Sequence, residues 1–296
     1  YVDTEENAFD ALIVDEAHRL NERSGMFRNQ GENQIKEIIH AARAAVFFID
    51  ESQRVTLHDI GRVAEIERLA AAAGACVTRG ELASQFRCNG SDGYLAWLDH
   101  ALQVRETANT DLNGVDYDFR VVGSPTELRE LIEDVNLANN RSRMVAGYCW
   151  DWRSKKEPEA FDIEFPEHGF AAQWNLAEDG HLWILTPDSV EQVGCIHTCQ
   201  GLELDHVGVI IGPDLLVRDG EVVTDGFARS RHDRTMHGFK TLHRRDPAAA
   251  RAAADEIIKN TYRTLMTRGT KGCFVWSPDA ETRAYFAAAT RPPAAP

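Results

Sequence analysis

Cysteine is scarce and never paired in a C-x-x-C spacing: Cys76, Cys88, Cys149, Cys195, Cys199 and Cys273 are scattered, mostly inside apolar runs. That excludes a disulfide scaffold and reads as the reduced, buried thiols of a cytoplasmic protein. No apolar stretch comes near the roughly 20 residues that a membrane-spanning helix needs. Positive charge is short as well, with 32 Lys and Arg against 47 Asp and Glu and a formal charge of −15. A protein that coats nucleic acid or an anionic membrane over its whole surface is thereby excluded, while a local basic track is not. Residue 1 is Tyr1, not Met, and Phe9–Val14 already reads as the interior of a sheet, so the chain is expected to start in mid-domain. What is present, 296 residues of which 43% are hydrophobic, can fill the cores of two domains.

Short apolar runs recur at Ala11–Val14, Val46–Ile49, Met144–Ala146, Leu182–Leu185, Val207–Ile211 and Cys273–Trp276. Each is too short for a buried helix and lacks strict alternation, as expected of strands covered on both faces. Helical patterns lie between them: Gln34–Ala44; Asp59–Ala73, stopping at Gly74; a helix opened by Ser124-Pro125-Thr126-Glu127 as a capping box with proline at N1; and a long one from Asp246-Pro247 to Arg268, stopping at Gly269. Strands alternating with helices predict an α/β fold with a mainly parallel sheet. With a further strand at Cys76–Thr78, a first unit closes near residues 80–90, giving domains 1–85 and 86–296. The segments 152–179 and 218–245 read as surface insertions.

The densest chemistry is Asp15-Glu16-Ala17-His18, where an apolar strand empties into two adjacent carboxylates. In phosphate-transfer ATPases an acid at a strand end holds Mg²⁺ and the next Glu orients and deprotonates the attacking water. The plainer reading is a strand running into an acidic helix cap. A second copy, Val46–Ile49 followed by Asp50-Glu51-Ser52-Gln53, weighs against that plainer reading. Two parallel strands would deliver Asp15, Glu16 and Gln53 to one carboxyl-end edge, where ligands bind in open α/β sheets. Gln53 could equally cap the turn ahead of the next helix. Gln85-Phe86-Arg87, the stretch Cys195–Asp205, and Asn260–Gly269 with Arg268 at a helix end complete the pattern. Two arginines of a second lobe facing a carboxylate pair in the first would act as arginine fingers, although an arginine at a helix end also complements the helix dipole.

On these residues the sequence resembles the superfamily 1 DNA/RNA helicases, and more narrowly the Schlafen group 3-like DNA/RNA helicase domain. Asp15-Glu16-Ala17-His18 is similar to motif II (Walker B), Asp50-Glu51-Ser52-Gln53 to motif III and Gln85-Phe86-Arg87 to motif IV. His197-Thr198-Cys199-Gln200-Gly201-Leu202-Glu203 is similar to motif V and Tyr262–Gly269 to motif VI, and Met144–Trp150 has the look of the narrower family. The resemblance implies RecA-like P-loop NTPase folds with the nucleotide between two lobes, the first of them incomplete. It implies ATP and Mg²⁺ as cofactors and DNA or RNA, single-stranded, as partner. Asp15 would bind Mg²⁺, Glu16 activate water, Gln53 sense the γ-phosphate, and Arg87 and Arg268 serve as fingers. His18, Gln85, Gln200, Gly201, Glu203 and Tyr262 would lie on the nucleotide, and His197 and Thr198 nearer the nucleic-acid strand. One departure is large. No G-x-x-x-x-G-K-S/T occurs, and Gly269-Thr270-Lys271-Gly272 is no substitute because it follows a helix instead of opening one. A P-loop binds the β- and γ-phosphates. In the family it lies upstream of motif II, so the resemblance implies the carboxyl-terminal portion of a longer helicase whose P-loop comes in cis or in trans, the isolated chain being inactive.

Against the acidic background, Arg229, Arg231, Arg234, Lys240, Arg244 and Arg245 crowd one segment, readable as a confined polyanion track or as a solvated loop. Trp150, Trp152 and Trp174 could stack bases or fill a core. Cys195, His197 and Cys199 alternate, so on a strand they would share a face, but a zinc site needs more than these three. Two other functions stay open: a binding module derived from a helicase that holds nucleic acid or a partner without hydrolysis, and a metal-dependent nuclease using Asp15 and Glu16.

Overall fold

The computed structural model describes residues 1–24, 30–82, 88, 91–175, 180–199 and 202–291. The chain divides into two units: Tyr1–Ala83 with Arg234–Lys240, and Ser84–Asp233 with Thr241–Pro296. The chain therefore passes three times from one unit to the other, because seven residues of the polar late segment belong to the first.

In the first unit, β1 (Leu12–Val14), α1 (Gln34–Ala41) and β2 (Ala45–Phe47) form a parallel crossover in which Ile13 pairs with Val46. A parallel pair needs such a crossover, since a hairpin can join only antiparallel strands. Asn33 starts α1 by accepting from the Ile35 and Lys36 amides, and the helix buries Ile35, Ile38 and Ala41. The strands are not covered on both faces as the apolar runs imply: Ile13 is 74% and Val46 47% exposed, and burial alternates along each strand. The helix expected from Asp59 begins later, as α2 (Val63–Ala72), and ends at Gly74, whose φ of 70° is the left-handed C′ conformation. Cys76–Thr78 forms no strand; Cys76 and Val77 lie exposed, with no burial to reward a ladder. The returning segment folds in through buried Thr235, Met236 and Phe239, and the Thr235 carbonyl accepts from the Leu57 amide at 2.9 Å.

The second unit begins with α3 (Asp92–Ala101), followed by β3 (Asp118–Val121), α4 (Pro125–Asn136) and β4 (Ser142–Ala146). The hairpin β5 (Ile163–Phe165) and β6 (Phe170–Ala172) precedes β7 (Val193–Gly194), the single turn α5 (Ile196–Cys199) and β8 (Leu204–Ile210). A second hairpin, β9 (Leu215–Arg218) and β10 (Glu221–Thr224), precedes α6 (Phe239–Arg245), whose first two residues belong to the first unit, and then come α7 (Pro247–Met266), β11 (Gly269–Trp276) and α8 (Ala280–Ala289). The five central strands run parallel in the order β3-β11-β8-β4-β7. With helices packed on this sheet the protein is α/β, as the alternating pattern predicts. Among the described residues no helix is long and apolar enough to cross a membrane.

Local chemistry explains the packing. Ser124 caps α4 by accepting from the Glu127 amide, with Pro125 at N1, and Glu127 accepts in turn from the Gly123 amide. Leu128 and Ile132 of α4 close on β8 at Gly208, where a side chain would stand 2.7 Å from Ile132. The segment 152–179 is more than a surface insertion: Ile163, Phe165, Phe170, Ala172 and Trp174 join the core cluster with Trp276 and Ile210. Leu182–Leu185 is not a strand but part of a 3₁₀ helix, Gly180–Leu185, that seats the Trp183 ring and offers the Ile184 carbonyl to the buried Arg143 guanidinium at 2.7 Å. A ladder would turn that carbonyl toward a neighbouring strand.

At the start of α8, Asp279 accepts from the Thr282 amide and hydroxyl and from Arg218. The Arg218 hydrogen bond, above all, pushes its carboxyl down to about 2. Because that lies below the unfolded value of about 3.9, the stabilisation is complete above pH ~4 and lost as pH falls through about 2. Asp279→Ala should cost about 1 kcal/mol near neutrality, and denaturant titrations at stepped pH should show the deficit closing between pH ~4 and ~2.

Candidate functional site

In the first unit the two carboxyl ends are brought together by the β1–β2 ladder, which continues beyond the strands. The Phe48 amide donates to the Val14 carbonyl and the Ala17 amide to the Phe48 carbonyl, both at 2.8 Å. Asp15 and Glu16 emerge exposed from this edge, and Glu16 sits in the left-handed region at φ 52°, ψ 40°. The Asp15 carboxylate accepts from the Glu16 amide at 2.9 Å. A non-glycine residue held there is strained, and such residues cluster at functional sites. His18 turns inward and is 1% exposed, with its Nε2 3.2 Å from Glu16 Oε2. Burial lowers the imidazole below its ordinary range, against the pull of Glu16, Asp50 and Asp59.

On the second strand Asp50 organises the turn. Its Oδ1 accepts from the Ser52 amide and hydroxyl, and its Oδ2 from Gln53 Nε2 at 2.8 Å, which holds the buried Gln53 side chain. Gln53 closes a 3₁₀ turn, Glu51–Gln53, and does not itself cap the following helix; Glu51 does that from a distance by accepting from the Val63 amide at 2.6 Å. Asp15, Glu16 and His18 thus follow the carboxyl end of β1, and Gln53 lies in the turn that follows its parallel neighbour β2. From sequence Asp50 is named only as part of the Asp50–Gln53 string, and neither Asp59 nor Gly61 is given a role. Placing Asp59 inside a helix hid the loop that carries the last two, and Gly61 just ahead of the apolar periodicity was the available sign.

The second unit holds the remaining candidates. Gln85, Arg87, Gln200 and Gly201 lie outside the described residues. His197 and Glu203 are exposed, and the Thr198 hydroxyl donates to Asn175 Oδ1 at 2.7 Å. Because Ile196–Cys199 is a helical turn and not a strand, Cys195 and Cys199 are buried while His197 points away from them. Arg268, 6% exposed, folds back so that its Nε donates to the Thr264 carbonyl at 3.0 Å, and its own carbonyl accepts from the Leu204 amide that opens β8.

Tyr262 does not lie on an open surface where a nucleotide could touch it. It is wholly buried, its hydroxyl donating to Asp214 Oδ1 at 2.5 Å and accepting from the Gly212 amide at 2.8 Å. Gly147 leaves the space for it, since a side chain there would overlap the Tyr262 hydroxyl. Arg229 likewise leaves the cationic track. Its Nη1 bonds Asp214 at 2.8 Å and its Nε bonds Asp233 at 2.7 Å, with all three side chains at most 1% exposed. Burial disfavours the guanidinium, but the two carboxylates outweigh it and hold its pKa well above the ordinary value. Arg231, Arg234, Lys240, Arg244 and Arg245 stay exposed, Arg231 beside Asp151 at 3.5 Å. Trp174 is core, Trp150 and Trp152 both pack against the same cluster, and Trp152 also lies under the Lys155 ammonium.

Asp15 offers one exposed carboxylate, and a Mg²⁺ ion held there would keep most of its waters and depend on substrate phosphates for the rest of its ligands. Among the described residues no group of three His, Cys, Asp or Glu could hold a metal ion. A buried pair broken on one side leaves an uncompensated charge, so Arg229→Ala should lower stability by about 3–5 kcal/mol. Arg231→Ala, on the surface, should leave the urea unfolding midpoint close to the parent's.

A yeast relative, the uncharacterized protein YPL245W of Saccharomyces cerevisiae, is 24% identical over 313 residues, covering 93% of this chain and 63% of that protein. The chain thus spans less than two thirds of that relative's length. The family model described as Schlafen group 3, DNA/RNA helicase domain, matches residues 1–279. With that match over nearly the whole chain, the protein belongs to the Schlafen group 3 DNA/RNA helicase domain family.

Proposed function

We propose that this chain is the part of an ATP-driven, superfamily 1-type DNA/RNA helicase or translocase that supplies the water-activating carboxylate, the γ-phosphate sensor and the second motor lobe. The observation that supports the reading is that the turns carrying Asp15 and Glu16 and carrying Gln53 follow the carboxyl ends of two paired parallel strands, in a chain of a helicase-domain family. Glu16 is exposed and held in a constrained turn, suited to take a proton from water attacking a γ-phosphate. Asp50 fixes the Gln53 amide, which would orient that water or read the phosphate. Asp15 would hold Mg²⁺, and the ion, when bound with nucleotide, would neutralise charge on the phosphates. Arg87 and Arg268 are the proposed fingers; the Arg268 Nε is held by the Thr264 carbonyl within its own unit.

The nucleotide cradle itself has no counterpart in the sequence, so a P-loop must come from another segment, in cis or in trans. The exposed Arg231, Arg234, Lys240, Arg244 and Arg245, with His197 and Thr198, are the proposed contacts to a single strand, and Arg229 and Tyr262 act instead inside the fold. Missing the cradle also favours a second reading, a helicase-derived module that binds nucleic acid without hydrolysis.

Steady-state ATPase assays with and without single-stranded DNA or RNA separate the two. The 296-residue chain alone should show negligible turnover. Joined to a polypeptide bearing G-x-x-x-x-G-K-S/T, it should hydrolyse ATP in a strand-stimulated way, and Glu16→Gln should lower kcat by about 10²-fold or more. Turnover by the chain alone, abolished by Glu16→Gln, would overturn the need for a supplied cradle. Strand binding without any ATP dependence, unchanged by Arg268→Ala, would favour the binding module.

A further inference from the structure

The loop between Gln53 and α2 doubles back on the residues that follow Glu16. Its hairpin is built around Arg54 and Asp59, both nearly buried. The Arg54 guanidinium donates to the Asp59 carbonyl from Nε at 3.2 Å and Nη2 at 2.7 Å. The Asp59 carboxylate accepts from the Thr56 amide at 3.1 Å and the Thr56 hydroxyl at 2.8 Å. From this hairpin the chain runs antiparallel to the end of the Asp15–His18 turn: Asp59 bridges Asn21, and the Ile60 amide donates to the Leu20 carbonyl at 2.8 Å.

Gly61 follows and presses directly on the turn. A side chain at Gly61 would overlap the Ala17 carbonyl oxygen and stand 2.5 Å from the His18 Cα and 2.7 Å from the Ala17 carbonyl carbon. These are backbone atoms, which cannot swing aside as the end of a flexible side chain would. Gly61 has no left-handed φ, so the need for glycine is one of space, not of backbone conformation. The Ala17 carbonyl that Gly61 meets belongs to the Ala17–His18 peptide, one peptide beyond the bond that joins Ala17 to the left-handed Glu16.

We infer that Gly61 is a positioning residue for Glu16, and that the Arg54–Gly61 loop is a brace fixing the water-activating carboxylate relative to Gln53. Arg54 adjoins Gln53 in sequence, Gly61 abuts Ala17 and His18, and the Asp59 carbonyl joins the two through the Arg54 guanidinium. The brace makes the turn after β1 and the turn after β2 one rigid element, beyond the ladder that aligns them. The role named for Glu16 rests on the proposed function; the geometry of the brace does not.

Heteronuclear NMR of the 296-residue chain without nucleotide tests it. Gly61→Ala should move the backbone amide signals of Glu16, Ala17 and His18, the Glu16 side-chain carboxyl carbon and the His18 ring signals, while β8 and β11 signals stay in place. Gly80→Ala, where a side chain meets nothing within 4 Å, should move none of them. Arg54→Met removes the guanidinium bonds without adding bulk and should shift the same Glu16 and His18 signals, and it decides the matter if Gly61→Ala does not fold. Glu16 and His18 signals unmoved in a folded variant of either kind would overturn the brace. Because no ATPase is read, a failure of Glu16 as base would leave this result standing, and a failure here would leave the ATPase result standing.

Discussion

Everything proposed for the first unit depends on one ladder. Three in-register pairs join β1 to β2, and the hydrogen bonds past the strand ends, Phe48 to Val14 and Ala17 to Phe48, carry the alignment into the two turns. A register shift of one residue would send every side chain of a strand to its opposite face. It would also separate Asp15 and Glu16 from Gln53. The ladder is short, and the alternating burial of its strands leaves Ile13 and Val46 exposed, so its alignment draws on what surrounds it: the α1 crossover, the Asp50 turn and the Arg54–Gly61 loop.

The second unit uses charge differently. Around Asp214 a tyrosine, an arginine and a second carboxylate are taken out of water together, and each polar group finds a partner. Such a network is worth little as net stabilisation but costs heavily to break on one side. It ties the chain after β8 to α7 and to the stretch ending at Asp233, one residue before the chain enters the first unit. The cations that could meet a polyanion are those left outside this network. Position in the fold, and not composition, sorts Arg229 from Arg231.

Much of the architecture was legible because the central strands of a parallel sheet are continuous apolar runs and helix ends carry cap chemistry. Val207–Ile211, Cys273–Trp276, Ser124-Pro125 and Asp246-Pro247 all announce themselves locally. What failed depends on partners far along the chain. Leu182–Leu185 has the composition of a strand, yet Arg143, some forty residues earlier, takes its Ile184 carbonyl. Tyr262 carries a motif position, but its hydroxyl is claimed by Asp214, 48 residues away. That Asp15 and Glu16 follow one strand and the Asp50–Gln53 turn its parallel neighbour was legible, since both strands are recognisable apolar runs. The roles of Asp59 and Gly61 were not, because they lie in what these residues press against or bond across a loop, and the bonds by which Asp50 holds Ser52 and Gln53 depend on the folded turn.

The central claim is that Glu16 and Gln53 work as one unit because the ladder holds them together. A double-mutant cycle on ATP hydrolysis by the P-loop-bearing protein tests it most directly, comparing Glu16→Gln, Gln53→Ala and the pair. Residues acting together are strongly non-additive. The account predicts that kcat of the double variant falls little below that of Glu16→Gln alone; single losses that simply multiply would contradict it.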